Sequence, residues 1–172
     1  MREKIIVLDF GGQYNQLIAR RVREMGIYCE IHPFNAPFEK WAGEGLKGVI
    51  LTGGPNSVYE EGAPRLGREL ISLGVPILGI CYGMQVINHM MGGSVTHASV
   101  SEYGHTELKV LGGRVLKGVG ADTVVFMNHT DFVSAAPEGF TVEATTAHCP
   151  VAAFSNEALS LYAVQFHPEV NH

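Results

Sequence analysis

Charged side chains are scarce in this 172-residue sequence. Asp, Glu, Lys and Arg make up 17%, against about 25% in typical globular domains. Basic residues are the rarer, 12 against 17 acidic ones, for a formal net charge of −5. That excludes the basic face a nucleic-acid binder needs. Cysteine is also sparse. Cys29, Cys81 and Cys149 lie far apart, are odd in number and form no CxxC pair, so neither a disulfide framework nor a zinc ribbon is indicated. No G-K-[ST] follows Gly53-Gly54, and Gly11-Gly12 opens no GxGxxG, so no nucleotide-phosphate loop is evident. Residues Ile5 to Leu8, ahead of Asp9, are too few for a signal-peptide core. Residues Ile71 to Ser101 carry no formal charge, but Pro76, Gln85, Asn88, His89 and several glycines interrupt them. They read as a buried strand and helix rather than a membrane span. A soluble chain of the reducing cytoplasm is expected.

What is present is a core-forming chain. Hydrophobic residues make up 46%, and the length suits one domain. Glycine, at 21 residues, exceeds the usual share of about 7% and implies tight turns. Strand-like runs at Lys4 to Phe10, Tyr28 to Phe34, Gly48 to Thr52 and Val75 to Ile80 alternate with helical spacings. The latter cover Gln13 to Met25, Ala63 to Leu73 and Tyr82 to Met91. Leu17, Ile18, Val22 and Met25 mark the apolar face of the first helix. This alternation predicts an α/β fold with a mostly parallel sheet flanked by helices. The second half differs. Val95 to Val110, Thr123 to Val133, Phe140 to Ala147, Val151 to Ser155 and Leu159 to Phe166 are β-like runs, which predict additional antiparallel strands. A single domain, 1–172, is expected. The abrupt end after a chemical motif predicts a part of a larger enzyme lacking its last C-terminal element.

The sharpest chemical feature is Gly79-Ile80-Cys81-Tyr82-Gly83-Met84-Gln85. A cysteine between two spaced glycines, where a strand gives way to a helix, is the thiol counterpart of the G-x-S-x-G elbow. The helix N-terminus favours the thiolate, and the Tyr82 N–H would face a developing oxyanion. Cys29 and Cys149 lack this context and read as small buried hydrophobes. A base is needed, and among eight histidines His167 stands out, in Gln165-Phe166-His167-Pro168-Glu169 at a strand end. Glu169, two residues on, is placed to orient its imidazole. Alone this segment reads as a strand-terminating turn; its weight comes from pairing with Cys81. Gly53-Gly54-Pro55-Asn56-Ser57 reads either as a simple turn or as a loop whose amides bind an anion. Asn128-His129-Thr130 matches a glycosylation sequon, which a cytoplasmic chain would not have modified.

Taken in order, Thr52-Gly53-Gly54-Pro55, the Cys81 elbow and Phe166-His167-Pro168-Glu169 resemble the class I (triad) glutamine amidotransferases, across the whole chain. That resemblance implies a flavodoxin-like α/β fold and hydrolysis of glutamine to glutamate and ammonia. By it, Cys81 is the nucleophile, His167 the acid and base, and Glu169 the residue orienting it. The backbone N–H groups of Gly54 and Tyr82 form the oxyanion hole. Gln85, Asn128, Thr130 and Asp131 contact the substrate glutamine, with Thr130 replacing a glycine common among relatives. No metal or cofactor is implied in this chain. Asp9 to Tyr14, Ala19 to Glu24 and His167 to His172 favour the subgroup whose ammonia goes to an ATP-pyrophosphatase synthetase, as a domain or subunit. That partner would use ATP and magnesium to aminate XMP to GMP. The alternatives are the glutaminase component of another amidotransferase and a stand-alone γ-glutamyl hydrolase.

Overall fold

A computed structural model describes residues 2–170, apart from the side chains of Ser99 and Val100. Asn171 and His172, which end the C-terminal motif, lie outside the described residues. The first half runs β1 (Lys4–Asp9), α1 (Asn15–Glu24), β2 (Cys29–Pro33), β3 (Leu46–Leu51), β4 (Ile77–Ile80) and α2 (Tyr82–Met90). Ile6, Val7 and Leu8 of β1 are all fully buried, because helices cover both faces of the parallel sheet. Successive side chains point to opposite faces: Ile6 and Leu8 join the core that holds Met84 and Ile87 of α2, and Val7 joins Ile18 of α1. α1 buries Asn15, Ile18, Ala19 and Val22, a helical stripe. Met25 falls outside it and is 67% exposed, contrary to its expected place on the apolar face.

The second half forms β5 (Ser94–Val110), β6 (Asp122–Ala135), β7 (Thr141–Thr145), β8 (Ala153–Asn156) and β9 (Leu161–Val164). All nine strands share one sheet in the order β2-β1-β3-β4-β9-β8-β7-β5-β6. β2, β1, β3, β4 and β9 pair in parallel. From β9 onward the pairing is antiparallel, through β8, β7, β5 and β6. The expected mixed sheet is therefore present, with β9 reassigned. The sequence pattern groups its run with the antiparallel strands, yet it lies parallel to β4 and antiparallel to β8. A four-residue apolar strand carries no local signal of its neighbours' direction.

The helix expected over Ala63 to Leu73 is reduced to a 3-10 segment, Arg68–Leu73, closed by Gly74 at φ 69°. Tertiary bonds hold the preceding residues in coil. Tyr82 Oη donates to the Pro64 carbonyl at 2.6 Å, and Arg65 Nε donates to the Val58 carbonyl at 2.8 Å. No helix among the described residues is long and apolar enough to cross a membrane.

The antiparallel extension contributes to the same core as the parallel strands, through Val95, Val133 and Phe154. Phe154 of β8 is fully buried and meets Phe140 edge-on, with ring centroids 4.9 Å apart. Phe154→Ala is expected to lower the unfolding free energy by about 3–5 kcal/mol, the cost of a large aromatic cavity, as read by urea titration. A loss below about 1 kcal/mol would show that neighbouring strands collapse into the space, and that the extension is less tightly packed than the buried ring implies.

Candidate active site

The parallel strands direct four loops to one end of the sheet. Gly11 to Tyr14 follow β1, Gly53 to Ser57 follow β3, Cys81 follows β4, and Gln165 to Glu169 follow β9. Ligands of open α/β sheets bind at these carboxyl ends. A cleft of about 680 Å³ lies there, lined by Gly53, Gly54, Cys81, Tyr82, Gln85, Asn128, His129, Thr130, Asp131 and His167 among others. Thr52 ties two of the loops together: its hydroxyl accepts from Phe10 N–H at 2.9 Å and donates to the Gly53 carbonyl at 2.9 Å.

Cys81 occupies a strained elbow. Its φ is 55° and ψ −109°, outside the regions an L-residue favours. The two flanking glycines permit it. A Cβ on Gly79 would lie 2.5 Å from the Gly83 carbonyl oxygen, and a Cβ on Gly83 would overlap the Leu51 carbonyl. The Cys81 N–H donates to Val164 of β9 at 2.8 Å, which fixes the elbow to the sheet. Its thiol donates to the Asn128 carbonyl at 3.6 Å. Tyr82 begins α2, so its N–H has no partner within the helix.

His167 is buried beside this sulfur. Its Nδ1 is 2.8 Å from Glu169 Oε2, and the ring also interacts with Cys81 in a way that favours its charge. Burial opposes the imidazolium, but the bonds to Cys81 and Glu169 outweigh it and raise the His167 pKa to about 9. The structure thus brings together the three residues expected from the sequence. It also adds supports that the sequence does not mark. Arg21 of α1 donates through Nε to the Glu169 carbonyl at 3.0 Å. The Tyr14 ring meets the His167 ring at 5.1 Å, edge to face. Gly53 lies so close that an added Cβ would be 3.1 Å from His167 Cε1.

The segment Asn128 to Asp131 lies within β6 and forms the opposite wall. Gln85 Nε2 donates to the Asp131 carbonyl at 3.1 Å, so this side chain, expected to contact substrate, also braces the wall. Thr130 Oγ1 shares a hydrogen bond of 2.7 Å with Ser101 Oγ. Asp131 Oδ1 lies 2.8 Å from His97 Nδ1. His129, unremarkable in sequence, is buried between the Glu102 carboxylate at 2.7 Å and the Asp131 carbonyl at 2.9 Å. Thr146 donates to the other Glu102 oxygen at 2.7 Å. Burial opposes ionisation of Glu102, but its bonds from His129 and Thr146 prevail and hold its carboxyl below the usual range. Glu102, His129 and Cys149 bring potential ligand atoms within 4.8 Å of one another. Each is already engaged: burial and the Glu102 charge push the Cys149 thiol up to about 12, and it donates to the Val151 carbonyl at 3.4 Å. A thiol so held is a poor metal ligand.

An elbow cysteine, a histidine and a glutamate lie at the carboxyl end of a doubly covered sheet, which places the chain among α/β proteins with a cysteine elbow, and a match to a family model specifies which. Residues 6–172 match Glutamine amidotransferase class-I, and the chain belongs to that family. It is 54% identical over 172 residues to GMP synthase [glutamine-hydrolyzing] of Clostridium botulinum (strain Alaska E43 / Type E3), covering 99% of this chain and 34% of that one. The counterpart in Carboxydothermus hydrogenoformans is 53% identical, covering 100% and 34%. The chain thus spans about a third of the length of these relatives. Among solved structures, a GMP synthase subunit from Thermoplasma acidophilum is 31% identical, with TM-score 0.82, covering 100% of this chain and 87% of that one. A Thermotoga maritima glutamine amidotransferase shares the fold at TM-score 0.78 and 20% identity, covering 99% and 78%.

The raised His167 pKa has a thermodynamic consequence. A histidine at about 9 in the fold and about 6.5 when unfolded stabilises the protein fully below the lower value. That contribution is lost as pH rises through the higher one. Proton NMR of the His167 ring should show the imidazolium persisting well above neutrality, and Cys81→Ala should shift its titration downward. Identical titrations in the two proteins would show that the sulfur does not hold the charge.

Proposed function

We propose that this chain is a glutaminase that hydrolyses glutamine to glutamate and ammonia, with Cys81 as nucleophile, His167 as acid and base, and Glu169 as the residue orienting His167. The observation that carries this is the positive-φ elbow, which presents Cys81 to the cleft beside the His167–Glu169 pair. The reaction begins once the Cys81 proton has passed to His167. The thiolate attacks the side-chain amide carbon, and charge moves to its oxygen, which the N–H groups of Gly54 and Tyr82 receive. His167 gives its proton to the departing nitrogen, so ammonia leaves and a γ-glutamyl thioester remains. Water then attacks the thioester, with neutral His167 taking its proton. The C–S bond breaks, glutamate departs, and thiolate and imidazolium are restored. Glu169 accepts from Nδ1, which directs Nε2 at the sulfur. Gln85, Asn128, Thr130 and Asp131 line the cleft and hold the amino-acid end of the substrate.

The second cysteine–histidine–glutamate group does not suit this work. Cys149 is fully buried, and its thiol, at about 12, stays protonated at neutral pH. We read the described residues as one glutaminase domain. The identity to relatives named GMP synthase supports a finer reading: the ammonia passes to a synthetase domain or subunit that aminates XMP to GMP. ATP and magnesium belong to that partner. The free thiols of Cys29, Cys81 and Cys149 fit the reducing cytoplasm.

The test is ammonia release from glutamine, measured with and without a synthetase unit supplied with XMP, ATP and magnesium. Cys81→Ala should abolish it, and His167→Ala should cost roughly 10²–10⁴-fold, the range of a general acid–base group. Glu169→Gln should retain more activity than His167→Ala, and Cys149→Ala should retain most. Wild-type turnover by Cys81→Ala would refute the nucleophile assignment. Hydrolysis of γ-glutamyl peptides in preference to glutamine would point instead to a γ-glutamyl hydrolase.

A further inference from the structure

Gln165 is fully buried at the end of β9. Its backbone N–H donates to the Ala152 carbonyl at 2.8 Å, a bond that any residue but proline would make. Its side chain is the costly part. Oε1 is buried without a hydrogen-bond partner among the described residues, and every such orphan in a native structure calls for a compensating role. A methionine of similar volume would remove the penalty. What the amide makes in return is one contact: Nε2 donates to Cys81 Sγ at 3.5 Å.

The other neighbours of the sulfur give that contact its meaning. The Asn128 carbonyl, 3.6 Å away, accepts from the thiol and repels a thiolate. When the sulfur loses its proton, that contact turns unfavourable, while a donor to the same atom becomes charge-assisted and stronger. Apart from the His167 ring, the Gln165 amide is the side-chain donor found on this sulfur among the described residues.

We infer that Gln165 is a further catalytic residue, whose side-chain N–H stabilises the Cys81 sulfur as thiolate. This rests on the reading of Cys81 as nucleophile. No bond to Gln165 forms or breaks. The hydrogen bond is present in the resting thiolate and weakens in the thioester, where sulfur is a poor acceptor. It re-forms as the hydrated thioester collapses and the C–S electron pair returns to sulfur. A stabilised thiolate is also a less aggressive nucleophile, so the two effects offset each other during attack. The net benefit falls where sulfur must shed a proton or act as leaving group.

The test is Gln165→Met, which keeps the volume and removes both donor and orphan. Its thermal stability should equal or exceed that of the wild type. Alkylation of Cys81 by iodoacetamide, located by peptide mass spectrometry, should slow by about three- to tenfold on the acidic side of neutrality. At alkaline pH, where the sulfur is ionised in both proteins, the deficit should vanish and the variant should alkylate at least as fast as the wild type, because its thiolate lacks the stabilising bond. In glutamine hydrolysis, kcat should fall with a steeper acid limb and KM should not rise. Should the methionine variant fail to fold, Gln165→Leu and Gln165→Glu also remove the donor and should show the same suppressed reactivity, Glu the more strongly. A wild-type alkylation profile in a folded variant would overturn the assignment. So would a pH-independent loss accompanied by lowered stability, the mark of a packing role. Alkylation needs no glutamine, so its outcome is separate from that of the glutaminase test.

Discussion

The strained turn at Cys81 is the constraint on which the rest of the structure depends. A residue with a side chain is held at φ 55° only because its surroundings leave no alternative. Its N–H is bound to Val164 of β9, and its carbonyl accepts from Met84 and Gln85 in the first turn of α2. The chain also passes too close to Gly83 and Leu51 for either flanking glycine to carry a Cβ. Sheet order follows the same need. β9 must lie beside β4 for Val164 to reach the elbow, and that neighbour relation delivers His167 and Glu169 a few residues later. One hydrogen bond across adjacent strands thus sets the positions of both Cys81 and His167.

Two groups in this protein combine cysteine, histidine and glutamate, and their contrast shows that composition does not determine chemistry. In the first, His167 is hydrogen-bonded to Glu169, and Cys81 and Glu169 favour its charge against burial. In the second, His129 faces Glu102 and a backbone carbonyl, and Cys149 keeps its proton beside a negative charge. The first presents its sulfur to the cleft through a strained elbow; in the second, Thr146 bonds the carboxylate and the Val151 carbonyl takes the thiol. What each imidazole bonds, Glu169 in one group and Glu102 with a backbone carbonyl in the other, separates the two.

Much of this is legible in the sequence, because the relevant signals are local. Gly79, Cys81 and Gly83 mark an elbow by spacing alone, and Ile6, Val7 and Leu8 mark a strand covered on both faces. What escapes depends on contacts distant in the chain. Arg21 reaches Glu169 from a helix that precedes it by more than a hundred residues. The Glu102–His129 pair forms only when β5 and β6 align. The parallel pairing of β9 has no signature in its own four residues. The lost helix at Ala63 shows the opposite failure: a favourable local pattern is overruled where Tyr82 and Arg65 claim nearby carbonyls for tertiary bonds. Pro64 offers a hint, since its ring disfavours helical geometry in the residue before it.

The antiparallel half of the sheet is part of the site rather than an ornament to a parallel enzyme core. Its strand β6 supplies the carbonyl facing the sulfur and the wall opposite the elbow, and that wall must not drift. A long hairpin could slip, since the register between β5 and β6 already breaks between His97 and Glu102. The buried Glu102–His129 pair sits at the end of that break, with side chains only 5% and 3% exposed. A buried carboxylate held by hydrogen bonds adds little net stability once desolvation is counted, but it penalises any arrangement that removes its donors. Here, slippage would strand a carboxylate inside the protein. The pair therefore acts on geometry: it makes the alternative registers costly, and so keeps Asn128 to Asp131 where the cleft requires them.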